Sequence, residues 1–282
     1  HLRNVTFSDS WTAESSYGGA TFYGFRLSGA ATSNGTITIG GTGTITQTTD
    51  GAYANYAFYS RPVVSGLNYV VNGNITITKT STSSQANLQG WNLKNLATVD
   101  IGNDSVVPPI TMDNAKIKMN FSGANTVYGI QVQNGAGATT SAKIRGVYFD
   151  GHSTGGIGLI IGDDSDPGAN ANHITSPEIY RNYVTNTNHG IALSYVAGGK
   201  SYQNYGDGLV IGILHKNTTD CISYSNVMQN VGNGGAFRAK TTTRSTFVNN
   251  TATLTAIGIG LNDSDVSTDI TWQNNIISTS NN

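Results

Sequence analysis

Charged residues are scarce in this chain. Asp, Glu, Lys and Arg make up 11% of 282 residues, and 15 cations against 16 acids leave a formal net charge of -1. No cluster of Lys and Arg is large enough to displace the counterions of a duplex, so no nucleic acid is expected as a partner. A lone cysteine, Cys221, excludes an internal disulfide, and stability must come from packing and hydrogen bonds. No stretch approaches the roughly 18 consecutive apolar residues of a membrane span. Periodicity near 3.6 residues is almost absent, which argues against helices.

What is present is a short-range alternation punctuated by Gly, Asn and Asp. Thr36 to Ile39, Gly43 to Thr46, Asn74 to Thr78 and Lys116 to Met119 alternate with the two-residue period of half-buried strands. With 35 Gly and 37% hydrophobic residues, the chain has apolar content for one continuous core and too little charge for a disordered tail. The second half repeats itself at a degenerate spacing of roughly 24 to 43 residues. The units KIKMNFSGANTVYGIQV, KIRGVYFDGHSTGGIGLII, EIYRNYVTNTNHGIAL, CISYSNVMQNVGNGGAFRAK, STFVNNTATLTAIGIGL and ITWQNNIIS align by eye. Most are a strand, an Asn- or Gly-centred bend and a second strand opened by Gly. Such units close a core only by stacking, which predicts an elongated β-cylinder with a long exposed face suited to polymers. Ile179, Ile191, Ile222, Phe237, Ile257 and Ile270 are expected to point inward.

Asn182, Asn226, Asn250 and Asn275 recur near the end of the first strand of a unit, where a sharp left-handed turn is needed. Stacked from coil to coil, their amides would bond to one another along the axis. This strand-Asn-bend and G-I-x-L pattern resembles the right-handed parallel β-helix proteins, the pectate-lyase-like group that includes polysaccharide lyases, phage tailspikes and adhesins. The resemblance covers residues 114–282 well and residues 1–113 loosely. It implies an all-β, single-domain solenoid over 1–282, with irregular N-terminal coils over 1–113 and clearer repeats over 114–282.

Residues 235–251, GAFRAKTTTRSTFVNNT, carry the sharpest chemical signal. With Phe237 and Ala239 inward, Arg238 and Lys240 share the outward face and Arg244 follows at the turn. Such cations would hold a uronate carboxylate while a lysine takes the adjacent ring proton, the chemistry of a polysaccharide lyase. The segment resembles the strand that bears the catalytic lysine in the alginate lyase and chondroitinase B family, and more loosely the G-F-x-x-K strand of one pectate lyase family. That resemblance reaches Lys240 as the base. AIGIGLNDSD stands where the first family has Arg-His-Gly, and Ala236 separates Gly235 from Phe237 with no preceding Asp, unlike the second. A solvated basic edge accounts for the same residues.

Asp163, Asp164 and Asp166 in one loop, and Asp263 and Asp265 in another, offer oxygen ligands that make calcium a candidate cofactor, although neither loop has EF-hand spacing and ordinary turns explain both. No dedicated metal ligands are assigned. Hydrolysis needs paired carboxylates roughly 5 to 9.5 Å apart. Asp150, Glu178, Asp207 and Asp220 are the available acids; Asp207, with Tyr205 beside it in YGDG, is the candidate for substrate contact. His1, His152, His173, His189 and His215 show no metal-ligand spacing. YANYAFYS at 53–60 and Trp91 are candidates for sugar stacking or for core filling.

The chain opens on His1 rather than Met, so whatever preceded it is expected to have been removed by processing or trimming, and the absence of a signal sequence here is uninformative. Its Ser, Thr, Asn and Gly content is the surface chemistry usual for extracellular, cell-surface or virion β-proteins. The expected function is polysaccharide recognition, with cleavage of acidic glycans by β-elimination as the chemistry of the cationic strand. The alternative is a non-catalytic structural or adhesive subunit, a homo-oligomer stacked end to end through residues from Ser245 onward.

Overall fold

The computed structural model describes residues 4–7, 10–17, 21–29, 33–51, 54–62, 65–133, 139, 141–153, 155–163 and 174–279. Each coil visits three parallel sheets in turn. Among the described residues, sheet A has ten strands from Asn4–Phe7 to Thr271–Gln273, and sheet B ten from Ser10–Tyr17 to Ile276–Thr279. Sheet C has nine, from Phe22–Gly29 to Leu261–Ser264, and no described residue is helical. The protein is a single-domain right-handed parallel β-helix.

Alternation decides what each sheet buries. In sheet A, Ile39, Val71, Ile101, Ile144 and Ile179 form one inward column through their registers. In sheet C, Phe25, Phe58 and Trp91 stack inward at 5.0 and 4.7 Å, followed by Ile130, Leu159, Ile191, Ile213 and Phe237. Like residues therefore sit one strand spacing, about 4.8 Å, above like residues. The residue before each of these is small because the sheet bends there: a Cβ on Gly90 would lie 2.3 Å from the Gly129 carbonyl oxygen.

Coil length varies where loops are inserted. The late coils repeat after 22, 24 and 25 residues, shorter at the low end than the stacked sequence units suggest. Between Thr98–Gly102 and Ile117–Ser122 runs a long connection. Its Val106, Ile110 and Ala115 pack against Tyr148 and Tyr183 on the outside. Asp104 pins it by accepting from Tyr180 Oη at 2.7 Å and pairing with Arg145 at 3.1 Å. Asp104 is accordingly held below the ordinary carboxylate range, first by the Tyr180 hydroxyl and then, against its own desolvation, by Arg145.

In the five later coils the bend from sheet A to sheet B is a single non-glycine residue in the left-handed region: Arg181, Gln203, Ser225, Asn249 and Asn274, all at φ between 52 and 54°. The asparagine follows it. Asn182, Asn204, Asn226, Asn250 and Asn275 form a row in which each Nδ2 donates to the next Oδ1 at 2.9–3.0 Å. Each of these Nδ2 groups donates a second bond to a carbonyl of an earlier strand, from Ile144 to Phe247. The expected amide row is thus present, with two corrections. The left-handed residue is the one before each asparagine, and Asn204 belongs to the row as well.

Of the expected inward residues, Ile179, Ile191 and Phe237 are fully buried and Ile270 packs half-buried against the core. Ile222 and Ile257 are not inward. Ile222 lies in the outward column with Glu178, Lys200 and Thr246, because the inward place goes to Ser223, which bonds the buried His215 at 2.8 Å. Ile257 is 72% exposed in the turn ahead of Leu261–Ser264, where no strand forms.

Asn226 satisfies four groups at once: Asn204 N–H and Nδ2, the Ser201 carbonyl and Asn250 Oδ1. Asn226→Ala is expected to destabilise the protein by about 3 kcal/mol, since each buried polar group left unpaired costs about 1–3 kcal/mol. Asn275→Ala, at a half-buried position, should cost clearly less. Urea unfolding midpoints of the two variants check the order.

Candidate functional site

Arg238 and Lys240 do alternate outward from the strand Gly235–Lys240, with Phe237 and Ala239 buried between and behind them. Both are tied to the next coil. Arg238 donates from Nε and a terminal nitrogen to Ser264 Oγ at 3.2 and 3.1 Å, and Lys240 Nζ lies 3.4 Å from Asp265. Lys216 precedes Lys240 in the same column, a neighbour that only the register reveals. Arg244 occupies a left-handed bend at φ 51° and grips Asp220 with two bonds of 2.6 and 2.8 Å. The Arg244 hydrogen bond holds the Asp220 carboxyl below its ordinary range.

Tyr205 and Asp207 face outward together from sheet B. Tyr148, Tyr183 and Tyr205 stack at 5.0 and 4.8 Å, and on sheet A Tyr180, Tyr202 and Tyr224 stack at 4.7 and 4.9 Å. Rings stacked along the axis cover one another's faces, so these ladders offer edges and hydroxyls rather than platforms for sugars. Burial, with Asp207 next in effect, pushes the Tyr183 hydroxyl up to about 12. Tyr205 donates to Gln229, and Asp207 accepts from Asn230 at 2.7 Å. The edge of Tyr205 joins Pro108, Pro109 and Ile110 around a cleft of about 440 Å³.

The remaining candidates separate. Asp164, Asp166, His1, His173 and Tyr53 lie outside the described residues. Among those described, no three His, Cys, Asp or Glu side chains gather around a point that would hold a metal ion. Glu178 sits between Lys143 and Lys200 at 3.5 and 3.8 Å. Cys221 is buried, with burial raising its thiol to about 11. His215 is a core residue that burial pushes down to about 3. Trp91 is fully buried and fills the core, so it is no sugar platform.

The densest polar constellation lies on the outer face of sheet C in the early coils, where sequence reasoning found only aromatics. Arg61 donates from Nε to Asn92 Oδ1 at 2.8 Å and from a terminal nitrogen to Gln133 Oε1 at 2.7 Å. Asn92 donates in turn to Gln89 and Gln131 at 2.7 and 2.9 Å. The Arg61 guanidinium lies 5.2 Å over the ring of Tyr59, which meets Tyr23 and Tyr56 edge-on at 4.9 Å. Arg26 sits 4.6 Å over Tyr23. Asp163 adjoins this array: burial raises its carboxyl, while Lys94 and Arg61 pull the other way.

The register joins this array and the Arg238 pair on one face. A single outward column runs Tyr59, Asn92, Gln131, Ile160, Ala192, Leu214, Arg238, so Asn92 and Arg238 stand about 24 Å apart at the usual strand spacing. The middle of that column is apolar and covered, with Ile160 and Ala192 fully buried and Leu214 nearly so, so no open groove joins its two ends. Arg61, Lys94 and Gln133 share the neighbouring positions, yet they are spaced unevenly along the chain, and only the pairing of strands brings them together.

Asp163 supplies a titration check. Burial makes its ionisation harder in the fold than in the unfolded chain, so its favourable contribution is complete below its ordinary value of about 3.9 and is lost as pH rises through the folded value. Asp163→Asn should therefore leave the melting temperature unchanged near pH 3.5 and raise it at pH 7, as followed by thermal scans across that interval. Compared with known proteins, the chain matches no family model and no curated protein.

Proposed function

We propose that this protein is an extracellular or virion-surface β-helix of the pectate-lyase-like group that recognises an acidic polysaccharide through the Arg61 array on the outer face of sheet C. The observation that carries this reading is the Arg61 array. A guanidinium has five donors in a fixed fork; two bonds to Asn92 and Gln133 and the ring of Tyr59 fix its orientation. The remaining donors suit a uronate carboxylate, bound bidentately. The buried Asn92, Gln89 and Gln131 hold the arginine in place, the half-buried Gln133 and Tyr59 are left beside it for sugar hydroxyls, and Arg26 and Lys94 extend the positive character. Low overall charge keeps the rest of the surface from competing for the polymer.

Cleavage by β-elimination belongs to the same reading at the far end of the face. Arg238 would neutralise a uronate and Lys240 would take the ring proton once the polymer displaces Asp265 from it. The carbon-bound proton passes to the neutral amine of Lys240, its electron pair forms the ring double bond as the glycosidic C–O bond breaks, and the departing oxygen takes a proton from water.

A stacking subunit is the second reading, favoured by one observation. Ile257, Ile259, Leu261, Val266 and Ile276 are exposed by 40–81% in the last described coil, and a second copy docked there would cover them. Phe247, in the preceding coil, is already buried under Trp272 at 4.4 Å and takes no part in such a contact. Sedimentation at high concentration decides this reading: a monomer counts against it.

Two experiments test the polysaccharide reading. Arg61→Ala should weaken binding of alginate or polygalacturonate at least about tenfold at low salt, with Arg61→Lys intermediate because it keeps charge without the fork. Unchanged affinity in both would refute the site. Incubation with alginate, pectate or glycosaminoglycan should release ultraviolet-absorbing products, and Lys240→Ala should slow release by about 10² or more; no release across the panel leaves recognition without cleavage.

A further inference from the structure

In its early coils the outer face of sheet B is built almost wholly of one residue type. From the strands Thr42–Thr49 and Asn74–Ser81, the side chains of Thr44, Thr46, Thr48, Thr76, Thr78 and Thr80 point outward. Their register is unbroken, Thr44 to Thr76, Thr46 to Thr78 and Thr48 to Thr80, so the threonines form a grid of columns and rows. Neighbours stand about 4.8 Å apart across the strands and roughly 6.6 Å apart along them. The strand Ser10–Tyr17 continues the columns with Thr12, Glu14 and Ser16 on one side, and Ile117–Ser122 continues them with Lys118, Asn120 and Ser122 on the other. Lys118 Nζ is turned to the Asp113 carbonyl at 3.3 Å, and between the two flanks the grid is uncharged.

The grid is stiff, and its hydroxyls are mostly unpaired. Behind it Ile45, Gln47, Ile75, Ile77 and Lys79 are at most 5% exposed, and a β-branched side chain has a restricted χ1. Among the described residues only Thr80 of the grid meets another side chain, Ser122 at 3.5 Å. No concavity and no ionised group gathers a dissolved ligand there, and one exposed hydroxyl bonds a ligand little better than it bonds water. A partner gains only by meeting all the positions at once, which requires a solid periodic in the same two directions.

Ice meets that condition. A prism face of hexagonal ice repeats its oxygens at nearly the strand spacing in one direction and at a little more than the two-residue rise in the perpendicular one. Each threonine hydroxyl holds a water where a lattice oxygen belongs, and the methyl beside it limits where that water can sit. Water over the grid is thus ordered before the crystal arrives, and joining the lattice costs little further entropy. Crystalline glycans, the rival periodic solids, are gripped by aromatic faces, and no outward position of these two strands is aromatic.

We propose that the threonine grid of sheet B is an ice-binding surface that adsorbs to a prism face. The inference is independent of the acidic-polymer reading on sheet C and survives its failure.

Ice itself is the probe. The whole chain in dilute solution, frozen slowly onto a chilled surface, should be incorporated into the growing ice, and single ice crystals held just below melting in its presence should grow flat prism facets. Thr46→Tyr combined with Thr78→Tyr replaces the middle column by side chains that strands accept readily but that hold a crystal away. The double variant should reduce incorporation about tenfold and restore rounded crystals, with a urea midpoint near that of the parent chain showing intact coils. Thr78→Ser, which keeps the hydroxyl and loses the methyl, should give an intermediate loss. Exclusion of the parent chain from ice, with rounded crystals, overturns the proposal, as does incorporation that the double variant retains in full. Capture of the parent chain by crystalline cellulose or chitin, lost in the double variant and without any effect on ice, overturns it in favour of a glycan surface.

Discussion

A chain that turns a corner with one left-handed residue leaves polar groups pointing into a dry interior, and the fold stands or falls on pairing them. The asparagine after each corner does this by a fixed geometry: its oxygen takes the backbone N–H and amide of the previous asparagine, and its amide reaches a carbonyl of an earlier strand. An alanine at the same place would leave several buried groups unpaired in each of the later coils, from Asn182 onward. Because the corner is fixed, strands of successive coils superimpose without slip. Inward columns then hold like with like, as Phe25, Phe58 and Trp91 do, and outward columns become ladders of tyrosine, carboxamide or cation.

Electrostatics in this protein is a matter of local pairs rather than a field. Arg244 with Asp220, Lys240 with Asp265 and Glu178 between two lysines each neutralise themselves across neighbouring coils. Inside, the ionisable groups depend on burial: Lys79 donates to the carbonyls of Asn55 and Gln89 at 2.7 and 2.6 Å, and its ammonium pKa is pushed well down. Arg61 is unlike these. Its described bonds go to neutral carboxamides, so its charge is oriented without an ion pair to an acid, which is the arrangement expected of a group prepared for an anionic ligand.

The fold was largely legible in the chain. Alternation over Asn74 to Thr78, the spaced asparagines and the glycine-opened strands report backbone geometry, which is local. Failures came where a residue's neighbours lie in other coils. Ile222 reads as core by hydropathy, but Ser223 is drawn inside by His215. Ile257 alternates convincingly in TAIGIGL, yet that stretch is a turn. Asn204 was overlooked because SYQNYGDG lacks the apolar flanks that mark the other units. The candidate site was legible only in part: Arg238 and Lys240 are two apart and announce a shared face. Arg61, Asn92 and Gln133 come from three coils of unequal length, and no spacing in the chain brings them together before the strands pair.

The asparagine row also has a direction. Within the row each amide donates to the asparagine of the next coil, so the row starts at Asn182, whose oxygen takes the Val147 N–H, and ends at Asn275, whose amide has a donor left over. The parallel sheets beside it share this sense. The cylinder is therefore polar in the way a helical filament track is polar: two copies meeting tail to tail would set donor against donor. Only a head-to-tail contact would keep the sense of the parallel sheets across a junction, and such a contact is heterologous and open-ended, with no symmetry that would stop it at two.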